Sequence, residues 1–447
     1  MARPPVSALP REMLQEILVR LPTADILRCC CVCTLWRRVA TNASFQNLHA
    51  GSRSAAADKD HLALLVSEKR EPGGCADAAV FHASTGKPMC TLANPPGHRL
   101  ANLCNGFLCF APRAAVVCNP VTGDKLDLPR APPLRGLGIE QRQLYALGFS
   151  PSTNQHKLFR LSSSSSDYWR TGASAVDVCT LGDTRGWRQH PYLFPHRPVD
   201  DGSPPVLVGG TLYVVTCRDH NDRRPDRILQ IDVATEAHCT YRLPKFEDPV
   251  DDVRVTAFDL SGRLCLAVNT VHWCRPKLVF WVVAVDSDDG GRFFYYWHPR
   301  YSFHLDADLT GGGTMRYDGY SSLPRAAWLD DDGMLCYRVG DTLYMYDTNG
   351  YSPCSHLGSL PWNQQLQVPA ADESPSTDRS WSVCGGYRPT LLSPLAFALP
   401  PSLHAQEQYE HVLLRALRSN KPEQRRRLPP AGCRTNWNDR AAKRICR

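Results

Sequence analysis

No stretch of this chain stays apolar for the roughly twenty residues that a membrane-crossing helix requires. Its first residues, Met-Ala-Arg-Pro-Pro, lack the apolar core of an export signal. The expectation is a protein that works inside the cell, in nucleus or cytoplasm, and away from membranes. The sequence has no Gly-x-Ser-x-Gly elbow, no Walker loop, no dinucleotide fingerprint and no His-Glu-x-x-His pair. Its fifteen histidines are scattered, none at metal-ligand spacing with a second on one helix face. We therefore expect no catalytic residues, no metal and no cofactor. The body also lacks net charge. Residues 401–447 hold eleven Lys and Arg against four Asp and Glu, which leaves forty of each sign for residues 1–400. With no basic groove in the body, nucleic acid is not an expected partner.

Cysteine, by contrast, is abundant. The nineteen residues are odd in number and scattered, and with no export signal they read as reduced, small hydrophobes. Cys30 and Cys33 form a Cys-x-x-Cys pair, but inside a helical pattern and with no second ligand pair, so neither zinc nor redox work is expected. The Asn42-Ala43-Ser44 sequon has no role in a chain that is not exported.

Residues 9–49 organise the N-terminus. Pro10 suits a helix start because its missing N–H would be unsatisfied there in any case. Met13, Leu14, Ile17, Leu18 and Leu21 then share one side of a 3.6-residue period, opposite Arg11, Glu12, Gln15, Glu16 and Arg20. Pro22 ends this helix and Thr23 can cap the next. Ile26, Leu27, Cys30 and Cys31 form a second apolar face, and Leu35, Trp36 and Val39 a third, closed by Phe45. A unit of about forty residues is too small to bury all of these faces by itself. Some of that surface must dock on something else.

These residues resemble an F-box, through Leu9-Pro10, Ile17-Leu18, Leu21-Pro22, Leu27, and Cys31-Val32-Cys33 followed by Trp36. Thr34 stands where that family usually has lysine. The resemblance implies binding to the Skp adaptor of an SCF-type cullin-RING ubiquitin ligase, and through it to a cullin. The implied adaptor-binding residues are Leu9, Pro10, Ile17, Leu18, Leu21, Pro22, Leu27, Val32, Cys33 and Trp36.

Residues 50–60 read as a small, polar linker. From His61 the pattern changes to short β-rich runs, among them 62–66, 114–118, 175–179, 206–208, 211–216, 227–233, 264–268, 278–285, 342–347 and 390–396. A strand, a tight turn and a second strand recur at His82–Gly86, Asn119–Gly123, Asp177–Gly186, Asp232–Glu236, Asp286–Gly291 and Asp347–Gly350. Several continue to Leu-Pro, at Leu128-Pro129, Leu243-Pro244 and Leu360-Pro361. The spacing is close to the kelch period of about 50 residues. Five or six such units suggest a β-propeller, whose radial closure protects strand edges, with a β-sandwich as the other reading. Trp187, Trp281, Trp297, Trp328 and Trp362 would suit packing between blades.

Asn105–Cys109, Asn119–Thr122, Leu147–Asn154 with Lys157, Gly210–Tyr213 and Ile231-Asp232 resemble, in order and spacing, the F-box-associated domain of plant F-box proteins. His156 replaces that family's usual tyrosine, and Tyr387–Pro394 resembles its closing strand. The resemblance implies a kelch-like fold that captures the protein to be ubiquitinated. The expected organisation is a three-helix F-box (1–49), a linker (50–60), a propeller (61–400) and a C-terminal helix with a basic tail (401–447).

Three smaller readings complete the picture. Ser162–Ser166 reads as a solvated loop open to phosphorylation, and Asp330–Asp332 and Asp286–Asp289 as solvated turns. Residues 404–418 place Tyr409, Val412, Leu413, Ala416 and Leu417 on one helical face, followed by basic stretches that suit a nuclear import signal. Two other functions stay open, a propeller lectin or enzyme with a vestigial F-box, and a nucleic-acid regulator that uses the tail.

Overall fold

The computed structural model describes residues 10–52, 62–69, 77–82, 88–93, 99–111, 115–133, 140–165, 173–190, 203–218, 224–245, 252–272, 275–287, 293–304, 325–329, 333–339, 342–348, 364–366 and 379–397. Leu9, the expected C-terminal helix and tail, Asp330–Asp332 and Trp362 lie outside them.

Four helices come first, α1 (Arg11–Leu18), α2 (Thr23–Cys29), α3 (Thr34–Ala40) and α4 (Ala43–Ser52). The fourth extends the expected three-helix module into the expected linker. Its start is set by Asn42, whose Oδ1 accepts the backbone N–H groups of Ser44 at 3.0 Å and Phe45 at 3.3 Å. That is an N-cap, and it accounts for the residue that reads in sequence as a glycosylation sequon.

The β-rich body forms six four-stranded antiparallel sheets. The first combines β1 (Leu62–Lys69), β2 (Asp77–His82) and β3 (Pro88–Ala93) with β24 (Arg379–Gly385), the last strand among the described residues. The others follow in chain order. They are β4 (Arg99–Cys104), β5 (Phe107–Ala111), β6 (Val116–Cys118) and β7 (Lys125–Asp127); β8 (Glu140–Ser150), β9 (Gln155–Ser165), β10 (Ala173–Thr180) and β11 (Trp187–Gln189); and β12 (Val206–Val208), β13 (Thr211–Cys217), β14 (Pro225–Asp232) and β15 (His238–Arg242). Then come β16 (Asp252–Leu260), β17 (Arg263–His272), β18 (Arg275–Ser287) and β19 (Phe293–His304); and β20 (Arg325–Leu329), β21 (Met334–Val339), β22 (Thr342–Asp347) and β23 (Gln364–Leu366).

Neighbouring sheets pack through strands at or next to one end of each, β4 on β8, β8 on β13, β12 on β16, β16 on β20 and β20 on β24. This is the order of a six-bladed propeller, closed where β24 pairs with β1 from Ala63↔Gly385 to Lys69↔Arg379.

The recurrent segment of the sequence connects the same two strands in every blade, the third and fourth of its sheet. Two copies share their hydrogen bonds. Asn119 Oδ1 accepts from Val121 N and Thr122 N, and Asp232 Oδ1 accepts from Thr235 N, the position equivalent to Thr122. The fifth residue donates to the first carbonyl in both, Gly123 to Asn119 at 2.8 Å and Glu236 to Asp232 at 2.7 Å. That fifth residue has positive φ, +76° at Gly123 and +64° at Glu236. Glycine adopts this conformation readily, whereas at Glu236 the surroundings must hold it. They do so through Lys157 Nζ at 2.7 Å and through Arg188. Burial works to raise the Glu236 pKa, but the bonds from Arg188 and Lys157 outweigh it and leave the group below the ordinary carboxylate range.

Tryptophans tie blades together in the same repeated manner. Trp187 Nε1 on β11 donates to Pro129 O of the preceding blade at 2.7 Å, and Trp297 Nε1 on β19 donates to Arg242 O at 2.9 Å. Both acceptors lie at the Leu-Pro boundary that punctuates the repeats. Asn102, buried on β4, extends the pattern inward by exchanging two 2.8 Å bonds with the backbone of Leu147 on β8.

Three expectations are corrected. Ser162–Ser165 are not a loop, since they lie in β9, where all four pair with β8 and Ser162–Ser164 also pair with β10. Asp286 lies in β18, paired with Phe294, rather than in a turn. Residues 390–396 are not a strand, and the closing strand is β24 rather than Tyr387–Pro394. His156 is buried among the rings of Phe107, Phe149 and Phe397, with neither ring nitrogen hydrogen-bonded. That burial pushes its pKa down to about 3.

Candidate partner-binding face

The helical module is built around Leu14, Leu18, Ile26, Leu27, Cys30, Val39, Ala40 and Phe45, all buried. Polar ties lock the connections between its helices. Arg37 Nε donates to Cys30 O at 3.2 Å, and His49 Nε2 lies 3.0 Å from Leu21 O. Burial pushes the Cys30 thiol up to about 12, whereas Cys33 is exposed. The two therefore do not share one environment, and no cluster of three or more metal-ligating side chains occurs among the described residues.

The core draws two members from the propeller, Val121 in the repeat turn of the second blade and Leu391 beyond β24. Part of the apolar surface that the sequence leaves unaccounted for is thus covered by the chain itself. The rest is not. Helix α1 carries two apolar stripes at i, i+4 spacing, Leu14 with Leu18 facing inward and Met13 with Ile17 facing out. Met13 is 54% exposed, Ile17 44%, Val32 65% and Leu35 36%. Val32 stands in the turn between α2 and α3, flanked by the exposed Cys31 and Cys33, and Leu35 opens α3.

The sequence-derived residues therefore divide. Pro10, Ile17, Val32 and Cys33 are exposed, and Leu21, Pro22 and Trp36 are half-buried. Leu18 and Leu27 are core residues that offer no surface. Met13 and Leu35 belong on the exposed face although they are absent from the expected set; position 13 lies i+4 from Ile17, which is the signal that could have found it. No helix among the described residues is long and apolar enough to cross a membrane.

Two family matches agree with this architecture. Residues 6–48 match the F-box-like family, and residues 59–289 match the F-box associated beta propeller domain family. Among curated proteins, an F-box/LRR-repeat protein of Arabidopsis thaliana is 26% identical over 325 residues, covering 66% of this chain and 67% of its own length. An F-box protein of the same plant is 27% identical over 310 residues, covering 62% of this chain and 69% of its own. A third, a putative F-box protein also from Arabidopsis thaliana, is 24% identical over 279 residues, covering 59% of this chain and 66% of its own length. With the four-helix module and the six-bladed ring already in place, these matches identify the chain as a member of the F-box proteins that carry an F-box associated β-propeller.

Proposed function

We propose that this protein is a substrate-recognition subunit of an SCF-type ubiquitin ligase, in which the helical module holds the Skp adaptor and the propeller holds a target protein. The observation that carries the reading is the outward stripe of Met13, Ile17, Val32 and Leu35 on a module whose interior is already filled. Large side chains left outside a complete core mark a surface that another protein covers. The adaptor would bring a cullin, and the cullin a ubiquitin-charged enzyme. This chain's part is to raise the effective concentration of target lysines near that enzyme, with bonds made and broken on other subunits.

Co-purification with the Skp adaptor tests the reading. Changing both Ile17 and Val32 to Asp should abolish capture while the thermal unfolding curve stays where it was. Capture undiminished in the double variant would remove the proposed face. Leu18 is unsuited to this test, because its side chain is fully enclosed and its truncation would act through stability. To find targets, affinity capture in proteasome-inhibited cells would compare the intact chain with one lacking residues 1–49. Proteins retained by both baits are target candidates.

A further inference from the structure

Beyond β24, residues 387–393 pass between the helices and the propeller outside any helix or sheet. Successive residues make contacts with one and then the other. Pro389 O accepts a 3.0 Å hydrogen bond from Thr23 Oγ1, at the first residue of α2. Thr390 turns the other way, and its carbonyl accepts from Asn119 Nδ2 at 3.0 Å. Leu391 returns to the helices, where it is buried in their core beside Leu14, Ile26 and Phe45. Leu392 faces the propeller again, buried with Phe107, Leu147 and Leu158, and its carbonyl takes the second proton of the Asn119 amide at 2.6 Å. Ser393 Oγ then donates to the buried Asp124 at 2.6 Å. The approach to the propeller is close enough that a Cβ at Gly106 would lie 2.5 Å from Thr390 Cγ2.

The covalent connection through residues 53–61 joins the module to the propeller at one point only. Domains tied by a single linker are expected to move relative to one another unless a substantial interface holds them. Here the opposite end of the chain supplies that interface. Val121 and Leu391 enter the helical core from the body, and Ala50 of α4 packs on the core shared by the second and third blades.

We propose that residues Arg388–Ser393 are a strap that holds the adaptor-binding helices in one fixed orientation on the propeller, with Leu391 and Thr23 as its positioning residues. For the ligase this would set which target lysines come within reach, a consequence that rests on the function proposed above. The fixed orientation itself does not depend on that function and is measured without any partner.

The test uses the full chain with two spin-labelled unnatural amino acids, one at the exposed Glu16 on α1 and one at the exposed Arg185 on the third blade, read by pulsed dipolar spectroscopy. The unaltered strap should give one narrow distance distribution. Leu391→Ala should at least double its width while the unfolding transition of the propeller persists, and Leu391→Ile should restore it. A broad distribution with the unaltered strap, or a narrow one in Leu391→Ala, would overturn the proposal. Should Leu391→Ala fail to fold, the combination of Leu391→Val and Thr23→Val keeps most of the packed volume and removes the bond to Pro389. Unchanged width in that combination would equally overturn it. Failure of adaptor capture with an intact narrow distribution would count against the ligase reading and leave the strap standing.

Discussion

The helical module and the propeller solve opposite problems with the same apolar side chains. Of the seven large hydrophobic residues exposed among the described residues, five lie between Met13 and Leu48 and only Tyr296 and Leu395 lie elsewhere. The described residues of the propeller bury their apolar side chains between its sheets, and few large ones among them are left exposed. The module is short, and α1 cannot turn both of its stripes inward. The small helical unit thus shows its exposed apolar face through surplus, whereas the described residues of the propeller carry no comparable stripe.

That contrast can be broken or sharpened in several ways. The largest effect is expected inside the propeller, where Lys157 and Glu236 have side chains only 7% and 8% exposed. Glu236→Gln leaves the Lys157 ammonium buried without its counter-charge and should cost about 3–5 kcal/mol in chemical denaturation. Within the module, Leu18→Ala should lower stability by about 2–5 kcal/mol. Ile17→Ala, one position away, should change stability by less than about 0.5 kcal/mol and instead weaken adaptor binding by about 2 kcal/mol in calorimetric titration. If the two substitutions behaved alike, the inward and outward stripes of α1 would not be distinct.

A pH-dependent difference should follow. His156 is held neutral by burial, with a pKa near 3 in the folded chain against an ordinary value of 6.5. The unfolded chain therefore binds the extra proton first. The contribution of this residue to stability is complete above pH 6.5, declines by about 1.4 kcal/mol per unit as pH falls, and is exhausted near pH 3. His156→Phe should flatten that slope in denaturation curves taken across the window, and it also removes two buried nitrogens that have no hydrogen bond. The smallest effect is expected at the N-cap of α4, where Asn42→Ala should cost about 1 kcal/mol.

Much of this architecture is legible in the sequence where the information is local. The prolines at 10 and 22 mark the first two helix starts, and the Asn-Pro-Val-Thr-Gly and Asp-Val-Ala-Thr-Glu turns mark one fixed position in each blade because their side-chain and backbone bonds are made within five residues. The segments that begin at His82, Asp177, Asp286 and Asp347 connect the same two strands of their blades; the pattern suggested five or six units, and the sheets number six. What could not be read depends on distant partners. Residues 390–396 have the composition of a strand, and only the carbonyl contacts to Thr23 and Asn119 explain why they pair with no sheet. Leu18 and Ile17 are equally apolar in sequence. Which of them faces out is decided by where α3 and the propeller segment around Leu391 pack.

The pairing of Ala63 with Gly385 has a further implication for biosynthesis. A chain leaving the ribosome presents β1 far ahead of β24, so the first sheet stays one strand short until all the intervening strands have been made. Over that interval β1 exposes an unpaired hydrogen-bonding edge of the kind that invites association with other chains. A stop codon placed shortly before Arg379 would make that edge permanent, and its product is expected to aggregate or be degraded rather than persist as a shorter folded chain.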